Sequence, residues 1–408
     1  MIIPSINIGT IMEDIYEYID SPSSMEPLLP EEGTRDLEDR VGDLLKKSSS
    51  LAGRLHNEVA TSIGTLVRSM NCYYSNLIEG HNTHPRDIDR ALKQDYSLDT
   101  KKRALQLEAT AHITVQEMID NGKIPASIVS SDALCWIHKE FCSRLPDELL
   151  WVENPDTGKR IRIEPGSLRN GEVKVGSHIP PIASSLPKFL ERFEHAYDPA
   201  RLSQVGQVIA VAASHHRLLW VHPFYDGNGR VTRLFSHAYL KNIGVGSSLW
   251  SVSRGLARSA NTYKSLLMQA DMIRQGDLDG RGNLTAKGLK TFCLYFLETC
   301  IDQVDYMASI LEPSELLIRM EIYTEEEIRA GRLLKGTFSL LREALLAGSF
   351  ERGKATSITG YQDRQARKIL SSLIEKEMLV SDSPKGAVKL GFPIDVVERW
   401  FPKLYPIA

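Results

Sequence analysis

The sequence predicts a mainly α-helical protein that ends in a small domain containing a few short strands. Apolar residues recur at helical spacing over most of the chain up to about Leu311. One stretch around Asn170-Gly171 instead alternates apolar and polar residues about a tight-turn pair, which is typical of a β-hairpin. Beyond Gly331 the pattern changes to helix, turn, second helix and two short strands. These three observations predict a helical core, a hairpin and a separate C-terminal module.

Composition limits the classes of protein that this chain can represent. Its 408 residues predict two or three domains with a large buried core. The formal net charge of −3 argues against a generally basic surface that binds nucleic acid or membranes. Five scattered cysteines, odd in number and without metal-binding spacing, predict buried, reduced thiols and a cytoplasmic protein.

The N-terminal part predicts neither a targeting sequence nor a membrane span. Residues 1–32 are rich in proline, serine and acidic residues, so we expect an arm that packs on the body or stays mobile. Acidic residues and the lack of a basic region argue against a signal peptide. The most apolar stretch, residues 205–221, is interrupted by Gln207 and two histidines, and predicts a buried core helix.

A long helical pattern leads to a carboxylate near residue 80. Ser75 and Glu79 are four residues apart, so on a helix they lie on the same face. Gly80 fits just past the end of that helix. The apolar positions that define the pattern are Leu55, Val59, Ile63, Leu66, Val67 and Met70.

The densest cluster of chemically active residues is HPFYDGNGRVTR at residues 222–233. Pro223 ends the preceding helix, because the residue before a proline is driven out of helical geometry. Gly227 and Gly229 allow backbone angles at which successive N–H groups converge on one point. A helix then begins at about Arg230. A glycine-rich turn that opens a helix binds anions, because its first N–H groups are unpaired and the helix dipole favours negative charge.

Side chains of the same loop complete a site for a polyphosphate. Arg230 and Arg233 are three residues apart, so both guanidinium groups can point at the same phosphates. Asp226 supplies a hard oxygen ligand suited to Mg²⁺. His222 can accept a proton near neutral pH. The loop therefore predicts a site where a hydroxyl group attacks a bound triphosphate.

Residues 222–233 resemble the H-P-F-x-D-G-N-G-R-x-x-R signature of the Fic (filamentation induced by cAMP) family at every defined position. The resemblance implies a Fic-type helical core that transfers AMP from ATP, with Mg²⁺, to a hydroxyl side chain of a target protein or of itself. His222 would be the general base and Asp226 the Mg²⁺ ligand. Positioning and charge neutralisation, which such a reaction needs most, are what the loop offers. The implied nucleotide-binding residues are Gly227, Asn228, Gly229, Arg230 and Arg233.

The segment from Ser75 to Gly80 resembles the inhibitory motif of the same family, S/T-x-x-x-E-G. The resemblance implies that Glu79 pairs with Arg233 and occupies the space needed by the γ-phosphate, so that ATP binds in an unproductive pose. A buried pair of this kind makes an effective latch, because moving one partner leaves the other charge uncompensated. The same glutamate could instead position a water molecule, which would make the protein a hydrolase that removes AMP.

Three further segments resemble parts of this family. The hairpin predicted at residues 163–178 resembles a flap that holds a target segment by strand addition. An earlier charged stretch, residues 151–164 with a turn at 154–158, resembles an extended base of the flap, and we assign it no role. The position of Tyr263 resembles one that lines the adenine pocket in the family. The alternative is that Tyr263 only packs in the core. The implied target-docking residues are Val173, Lys174, Val175 and Gly176.

The C-terminal pattern resembles a winged helix. Residues 331–408 carry 13 Lys/Arg against 8 Asp/Glu, a net of +5, which leaves −8 for the rest of the chain. The predicted recognition helix, opening at Thr359-Gly360-Tyr361 and running to Glu377, carries three basic residues. Such helices contact DNA in some proteins and dock other proteins elsewhere, so both kinds of partner stay open. The basic residues are Arg364, Arg367 and Lys368.

We therefore predict four segments. Residues 1–105 form an arm and a helical region with the inhibitory motif, and residues 106–311 form the catalytic core. A helical linker at 312–332 leads to the winged-helix domain at 333–408. Three functions remain open: a protein adenylyltransferase restrained by Glu79, a hydrolase that removes AMP at the same site, and a DNA-binding regulator with a nucleotide-sensing core. The family resemblance also implies control by oligomeric state, so we consider a homodimer.

Overall fold

The computed structural model describes residues 19–31, 34–153 and 158–405. Within those ranges the chain forms sixteen α-helices and five short strands, which confirms the mainly α-helical prediction. No helix in the described ranges is both long and apolar enough to cross a membrane. Most of the predicted N-terminal arm, residues 1–18, and most of the predicted turn at 154–158 lie outside the described residues.

The helices are listed here in chain order and keep these labels below. They are α1 (Arg35–Ala52), α2 (Asn57–Ile78), α3 (Pro85–Leu92), α4 (Thr100–Asp120), α5 (Ser131–Cys142), α6 (Leu186–Tyr197), α7 (Gln204–Val221), α8 (Asn228–Asn242), α9 (Val252–Arg258), α10 (Ala260–Ala270), α11 (Ala286–Ile310), α12 (Pro313–Arg329), α13 (Thr337–Ala347), α14 (Ala355–Thr359), α15 (Asp363–Glu375) and α16 (Ile394–Trp400). The strands are β1 (Trp151–Glu153), β2 (Arg160–Arg162), β3 (Ser349–Phe350), β4 (Leu379–Val380) and β5 (Val388–Leu390).

Two compact units divide the described chain. The first contains the described residues through Lys46, Asn71–Ser247 and Ser251–Gln303, and the second contains Lys47–Met70, Ser248–Trp250 and the described residues from Val304 onward. These units differ from the predicted segments, because residues 71–105 belong with the core and not to a separate N-terminal region. Long helices such as α2 contribute their two halves to different units. Turn and loop residues in the sequence mark the ends of helices and therefore do not reveal such a division.

The first unit places helices α7 and α8 in its centre. α7 begins after Ser203, whose hydroxyl accepts a hydrogen bond from the Gly206 N–H at 3.1 Å, a typical N-cap. Most residues of α7 from Val208 onward and most residues of α8 are buried, which agrees with the predicted core helix at 205–221. Aromatic rings fill the space around them, with Phe193 and Phe235 at 5.9 Å between ring centroids. The loop between the two helices is thus supported on both sides by core packing.

The hairpin of this unit lies earlier than predicted. β1 and β2 pair antiparallel, with Trp151 opposite Arg162 and Glu153 opposite Arg160, in the charged stretch to which no role was assigned. Residues 163–178, predicted as the flap hairpin, contain one isolated antiparallel bridge, Val175 with His178. Their backbone is held by contacts with the 222–233 loop instead of by strand pairing, as described below.

The second unit ends in a small mixed domain. Its elements follow the chain order α13, β3, α14, α15, β4, β5 and α16, and the three antiparallel strands have the order β3-β5-β4 in the sheet. This is the element order that the winged-helix prediction requires, with an additional strand and helix, β3 and α14, that the sequence did not predict. The predicted recognition helix corresponds to α15, which exposes Arg364, Arg367 and Lys368. The predicted linker at 312–332 corresponds to α12. The winged-helix assignment stays a prediction.

Candidate functional site

The loop between α7 and α8 has the backbone geometry expected of an anion cradle. His222 closes α7 in the left-handed region, with φ +49°, and its N–H donates to the Leu218 carbonyl at 3.1 Å. Gly227 precedes α8 with φ +80°, a conformation that favours glycine. α8 begins at Asn228, so its first backbone N–H groups lack partners within the helix and face the loop.

His222 is buried and neutral. Its exposed fraction is 9%, and burial lowers the pKa of its imidazole to about 3, with further lowering by Arg169 and His178. The ring is therefore unprotonated at neutral pH, which is the form that a general base requires.

Arg169 holds His222 and its neighbour in place. Its Nε donates to the His222 carbonyl at 2.9 Å and its backbone N–H donates to the Pro223 carbonyl at 2.9 Å. The guanidinium group also donates to the carbonyls of Gly171, at 3.0 Å, and Pro181. Burial lowers the pKa of Arg169 to about 10. Sequence analysis assigned this residue no role, and its only signal was a position beside the predicted hairpin turn.

The predicted flap residues lie in the segment that Arg169 anchors. Val173 is buried, Lys174 and Gly176 are exposed, and Val175 forms the bridge to His178. The Asn170 side chain, expected in a hairpin turn, accepts a hydrogen bond from the Tyr225 hydroxyl at 2.7 Å. Tertiary contacts with the loop therefore replace the predicted local turn. The role of these residues in docking a target stays a prediction.

Asn228 and Phe224 close the loop on itself. The Asn228 side chain accepts from the Phe224 N–H at 3.0 Å and donates to the Phe224 carbonyl at 2.8 Å. Both groups of the amide are therefore engaged within the loop, which differs from the direct phosphate contact that the resemblance implied. The Phe224 ring is fully buried and stacks on His138 at 4.0 Å between centroids, as expected for an anchor in the core.

Arg230 lies between two carboxylates. Its Nη1 donates to Glu108 on α4, and its Nη2 donates to both carboxylate oxygens of Asp226 at 3.3 Å. Burial lowers the pKa of this guanidinium group, but the charges of Glu108 and Asp226 outweigh burial and raise it. Glu108 was missed by sequence analysis, because it lies 122 residues from Arg230 in a helix without a recognisable motif.

Arg233 binds the end of α2, as the resemblance implied. Its Nε donates to the Ser75 hydroxyl at 2.9 Å, and its Nη2 donates to the Ser75 carbonyl at 3.0 Å and to a Glu79 carboxylate oxygen at 2.5 Å. Burial raises the pKa of Glu79, but Arg233 and Arg230 outweigh burial and lower it. Glu79 is therefore ionised at neutral pH, and its side chain is 22% exposed.

Gly229 allows this close approach. A Cβ atom at that position would overlap the Glu79 carboxylate and would lie 3.1 Å from a terminal nitrogen of Arg233. Any larger residue would require the glutamate to move. The two motifs that the sequence showed separately, at residues 75–80 and 222–233, thus meet at one backbone position.

Tyr263 lies in the core. Its exposed fraction is 2%, and its hydroxyl forms a 2.7 Å hydrogen bond with His215 Nε2, while His215 Nδ1 pairs with the Ser236 hydroxyl at 2.7 Å. This position corresponds to the core-packing alternative. A contact with adenine would require the buried ring to become accessible.

The residues around Asp226 fit a hard cation bound together with phosphates. In the described part of the chain, no group of three or more His, Cys, Asp or Glu side chains could hold a metal ion by itself. The Asp226 side chain is 30% exposed and presents a carboxylate at the start of α8. Mg²⁺ usually keeps several waters and takes one or two carboxylates plus phosphate oxygens, so one carboxylate at a phosphate cradle is sufficient.

Buried neutral histidines make the stability of the protein sensitive to acid. Burial lowers the pKa of His112 to about 3 and that of His138 to about 4, as it does for His222. Below pH 6.5 these histidines take up protons in the unfolded chain but not in the folded protein. The folding free energy that depends on them is therefore fully present above pH 6.5 and is lost progressively as the pH falls. Each such histidine contributes a loss of up to about 1.4 kcal/mol per pH unit. We expect the melting temperature to fall between pH 7 and pH 5.

His112 offers the sharpest test of this prediction. Neither of its ring nitrogens has a hydrogen-bond partner among the described residues. We expect His112→Leu to make the melting temperature depend less steeply on pH. Gln116→Leu removes an uncharged, buried polar side chain from the same helix and is expected to leave the slope unchanged. An equal slope for His112→Leu and the unmodified protein would contradict the prediction.

Comparisons with known proteins match the part of the chain that contains this site. A family model described as "Fic/DOC family" matches residues 128–240. The "Protein adenylyltransferase Fic" of Drosophila virilis is 39% identical over 82 residues, which are 20% of this chain and 17% of the relative. The Drosophila melanogaster protein of the same name shows the same identity and coverage over 82 residues. The chain thus spans about a sixth of the length of these curated relatives.

A solved structure matches the fold over most of the chain. The crystal structure of a Fic family protein from Desulfovibrio desulfuricans G20 covers 90% of this chain and 98% of its own, with a TM-score of 0.51 and 16% identity. At that identity the likeness concerns the fold alone. The matched residues 128–240 include α5, α7, the complete 222–233 loop and most of α8. We conclude that this chain carries a Fic/DOC family domain at residues 128–240.

Proposed function

We propose that the protein is an adenylyltransferase that moves AMP from ATP to a hydroxyl side chain of a target protein, and that Glu79 restrains it. One observation carries the proposal. A buried neutral histidine, a backbone anion cradle and two arginines meet at one loop, and a carboxylate from another helix pairs with the second arginine. The curated relatives that match the domain are named protein adenylyltransferases, which supports the same class of reaction.

The reaction assigns a step to each group. The target hydroxyl oxygen attacks the α-phosphorus of ATP, while His222 takes the hydroxyl proton as general base. The bond from the α-phosphorus to the bridging oxygen breaks, and pyrophosphate leaves. The N–H groups at the start of α8 hold the α-phosphate, where negative charge develops. Arg230 and Arg233 neutralise the charge of the leaving group.

Asp226 would hold Mg²⁺ in this reaction. A bound divalent cation neutralises phosphate charge and helps the pyrophosphate to leave. The Asp226 carboxylate also accepts from the Gly227 N–H at 2.6 Å and from Arg230. These two contacts orient the carboxylate toward the start of α8, where the phosphates are held.

Glu79 would restrain the enzyme by competing for Arg233. The guanidinium group already holds the Glu79 carboxylate at 2.5 Å, so a γ-phosphate can bind there only when that contact breaks. Two guanidinium groups face three carboxylates in this cluster, namely Glu79, Glu108 and Asp226. Displacing Glu79 removes one negative charge from the surroundings of the phosphates and favours their binding.

The test is incorporation of labelled AMP. The purified protein is incubated with ATP labelled on the α-phosphate and with Mg²⁺, and covalent label is measured on the protein itself and on a lysate. We expect weak self-labelling by the unmodified protein. Label that stays on the protein in denaturant, and that mild protease treatment releases, would show a covalent adduct. The absence of covalent label in every variant would contradict the proposed function.

Removal of AMP at the same site is the second candidate. The observation that favours it is the ionised Glu79 carboxylate, which could orient a water molecule toward a modified hydroxyl. A target first labelled by the Glu79→Gly variant is incubated with the unmodified protein. We expect label to be lost at least about tenfold more slowly with Glu79→Gln, because a neutral amide is a poor proton acceptor. Equal rates with and without the unmodified protein would exclude this candidate.

A further inference from the structure

A second buried carboxylate binds the arginines of the loop. Glu108 lies on α4 with an exposed fraction of 0%, and it accepts a hydrogen bond from Nη1 of Arg230. It belongs to neither the 222–233 loop nor the segment at 75–80, and it lies outside the residues matched by the family model, 128–240. Burying a carboxylate is unfavourable unless it is paired, so its position calls for a role.

Glu108 and Asp226 hold the two ends of the Arg230 fork. Nη1 donates to Glu108, while Nη2 donates to Asp226 at 3.3 Å, and the guanidinium carbon lies 5.3 Å from the centroid of the Phe141 ring. A planar group anchored at two points and packed on an aromatic ring has one orientation. Glu108 comes from a helix outside the loop, whereas Asp226 belongs to the loop itself.

Not all N–H groups of Arg230 are bound by Glu108 and Asp226. A guanidinium group has five N–H donors, and the hydrogen bonds with Glu108 and Asp226 use donors of the two terminal nitrogens only. The Nε of Arg230 is buried and has no partner within the described part of the chain. An unpaired buried N–H is unfavourable, and a hydrogen bond to a phosphate oxygen would remove that penalty. Glu108 and Asp226 fix the guanidinium plane of Arg230, and that plane determines the direction of the N–H groups that they do not bind.

His81 holds the second oxygen of Glu108. Its Nδ1 lies 2.7 Å from Glu108 Oε2, and its side chain is 26% exposed. The hydrogen bond with Glu108 raises the pKa of His81. With one oxygen bound by His81 and the other by Arg230, the carboxylate of Glu108 is itself fixed in orientation. The chain from His81 through Glu108 reaches Arg230 without passing through Glu79 or Arg233.

We propose that Glu108 is a positioning residue of the AMP transfer, a role that rests on the proposed function. It fixes the guanidinium plane of Arg230 so that the free N–H groups of Arg230 point at phosphate oxygens, and His81 orients Glu108. Glu108 touches neither ATP nor the target; it acts through Arg230. It is thus distinct from Glu79, whose carboxylate must leave its arginine before the reaction proceeds.

Replacing Glu108 by a neutral residue has two expected effects, one on ATP binding through charge and one on the rate of the chemical step through orientation. Removing a negative charge beside a phosphate site strengthens ATP binding if charge alone matters. Loss of a fixed guanidinium plane slows the chemical step, because misplaced groups at a reacting centre reduce the rate by up to about 100-fold. A positioning role therefore predicts a lower kcat with a KM for ATP that is unchanged or lower.

The test uses the full chain with Glu79→Gly as the background, so that inhibition does not mask the effect. We expect Glu108→Ala to lower kcat by about 30- to 100-fold. Glu108→Gln is expected to lie between Glu108→Ala and the background, because the amide oxygen still accepts from Arg230. Neither variant should weaken ATP binding measured by calorimetry. His81→Phe, at a partly exposed position, is expected to lower kcat several-fold and to add nothing to Glu108→Ala.

Each outcome decides the inference. A kcat within threefold of the background for both Glu108 variants overturns it. Parallel losses of kcat, ATP affinity and melting temperature also overturn it, since they indicate structural support only. If Glu108→Ala does not fold, Glu108→Gln and His81→Phe decide by the same criteria. Failure of Glu79→Gly itself to transfer AMP contradicts the proposed function, whereas transfer that persists unchanged in the Glu108 variants contradicts only the positioning role.

Discussion

Glu79→Gly is expected to raise AMP incorporation by about 10- to 100-fold, because a hydrogen bond to a charged group contributes about 1.5–3 kcal/mol and each 1.4 kcal/mol is tenfold in rate. The variant frees the Arg233 nitrogen that Glu79 now holds at 2.5 Å and leaves it for the γ-phosphate. Glycine also removes the side chain that fills the space above Gly229. The measurement is covalent label from α-labelled ATP with Mg²⁺.

Stability should change in the opposite direction to activity. Without Glu79, Arg233 keeps its Ser75 contacts but loses a carboxylate partner in a buried setting, so the free protein should melt at a lower temperature. ATP should restore part of that loss, because a ligand that binds only the folded state stabilises it. Glu58→Gly provides the matched control, since it removes an exposed glutamate from the first turn of the same helix. Equal labelling by Glu79→Gly and the unmodified protein would remove the inhibitory role.

His222→Ala in the Glu79→Gly background is expected to reduce AMP transfer by about 100- to 10,000-fold, the usual contribution of a general base. Burial lowers the pKa of the imidazole to about 3, so the ring is neutral at physiological pH, the form that a general base requires. The rate of the background variant should therefore not change between pH 6 and pH 8 through protonation of His222.

ATP affinity separates this role from a structural one. His222 acts on the hydroxyl group, so His222→Ala should bind ATP within about threefold of the background, which is under 1 kcal/mol. His195→Ala, at an exposed position on α6, is the matched control and should transfer AMP at the background rate. Substantial transfer by His222→Ala would assign the base to another group, and a simultaneous loss of ATP binding would indicate a disrupted loop.

Local patterns sufficed for much of the fold and for the centre of the site. The helical periodicity before Ser75 and after Arg230 predicted α2 and α8. Of the two glycines expected to allow unusual backbone angles, Gly227 has a positive φ, whereas Gly229 lies within α8. These features depend on backbone conformation over a few residues, which neighbouring side chains determine directly. The Asn170-Gly171 signal failed for the complementary reason, because hydrogen bonds from Arg169 and Tyr225 outweigh a local turn preference.

The sequence by itself determined which residue types the loop offers and that Ser75 and Glu79 lie on the same helical face. Only the tertiary structure decided what those residues contact. Glu79 lies 154 residues from Arg233, Glu108 lies 122 residues from Arg230, and Arg169 lies 53 residues from His222. Such pairs form when helices pack, and packing depends on the shape and volume of every buried side chain. A short sequence pattern does not determine the packing of a whole core. The contacts of Glu108 and Arg169 were therefore found only in the structure.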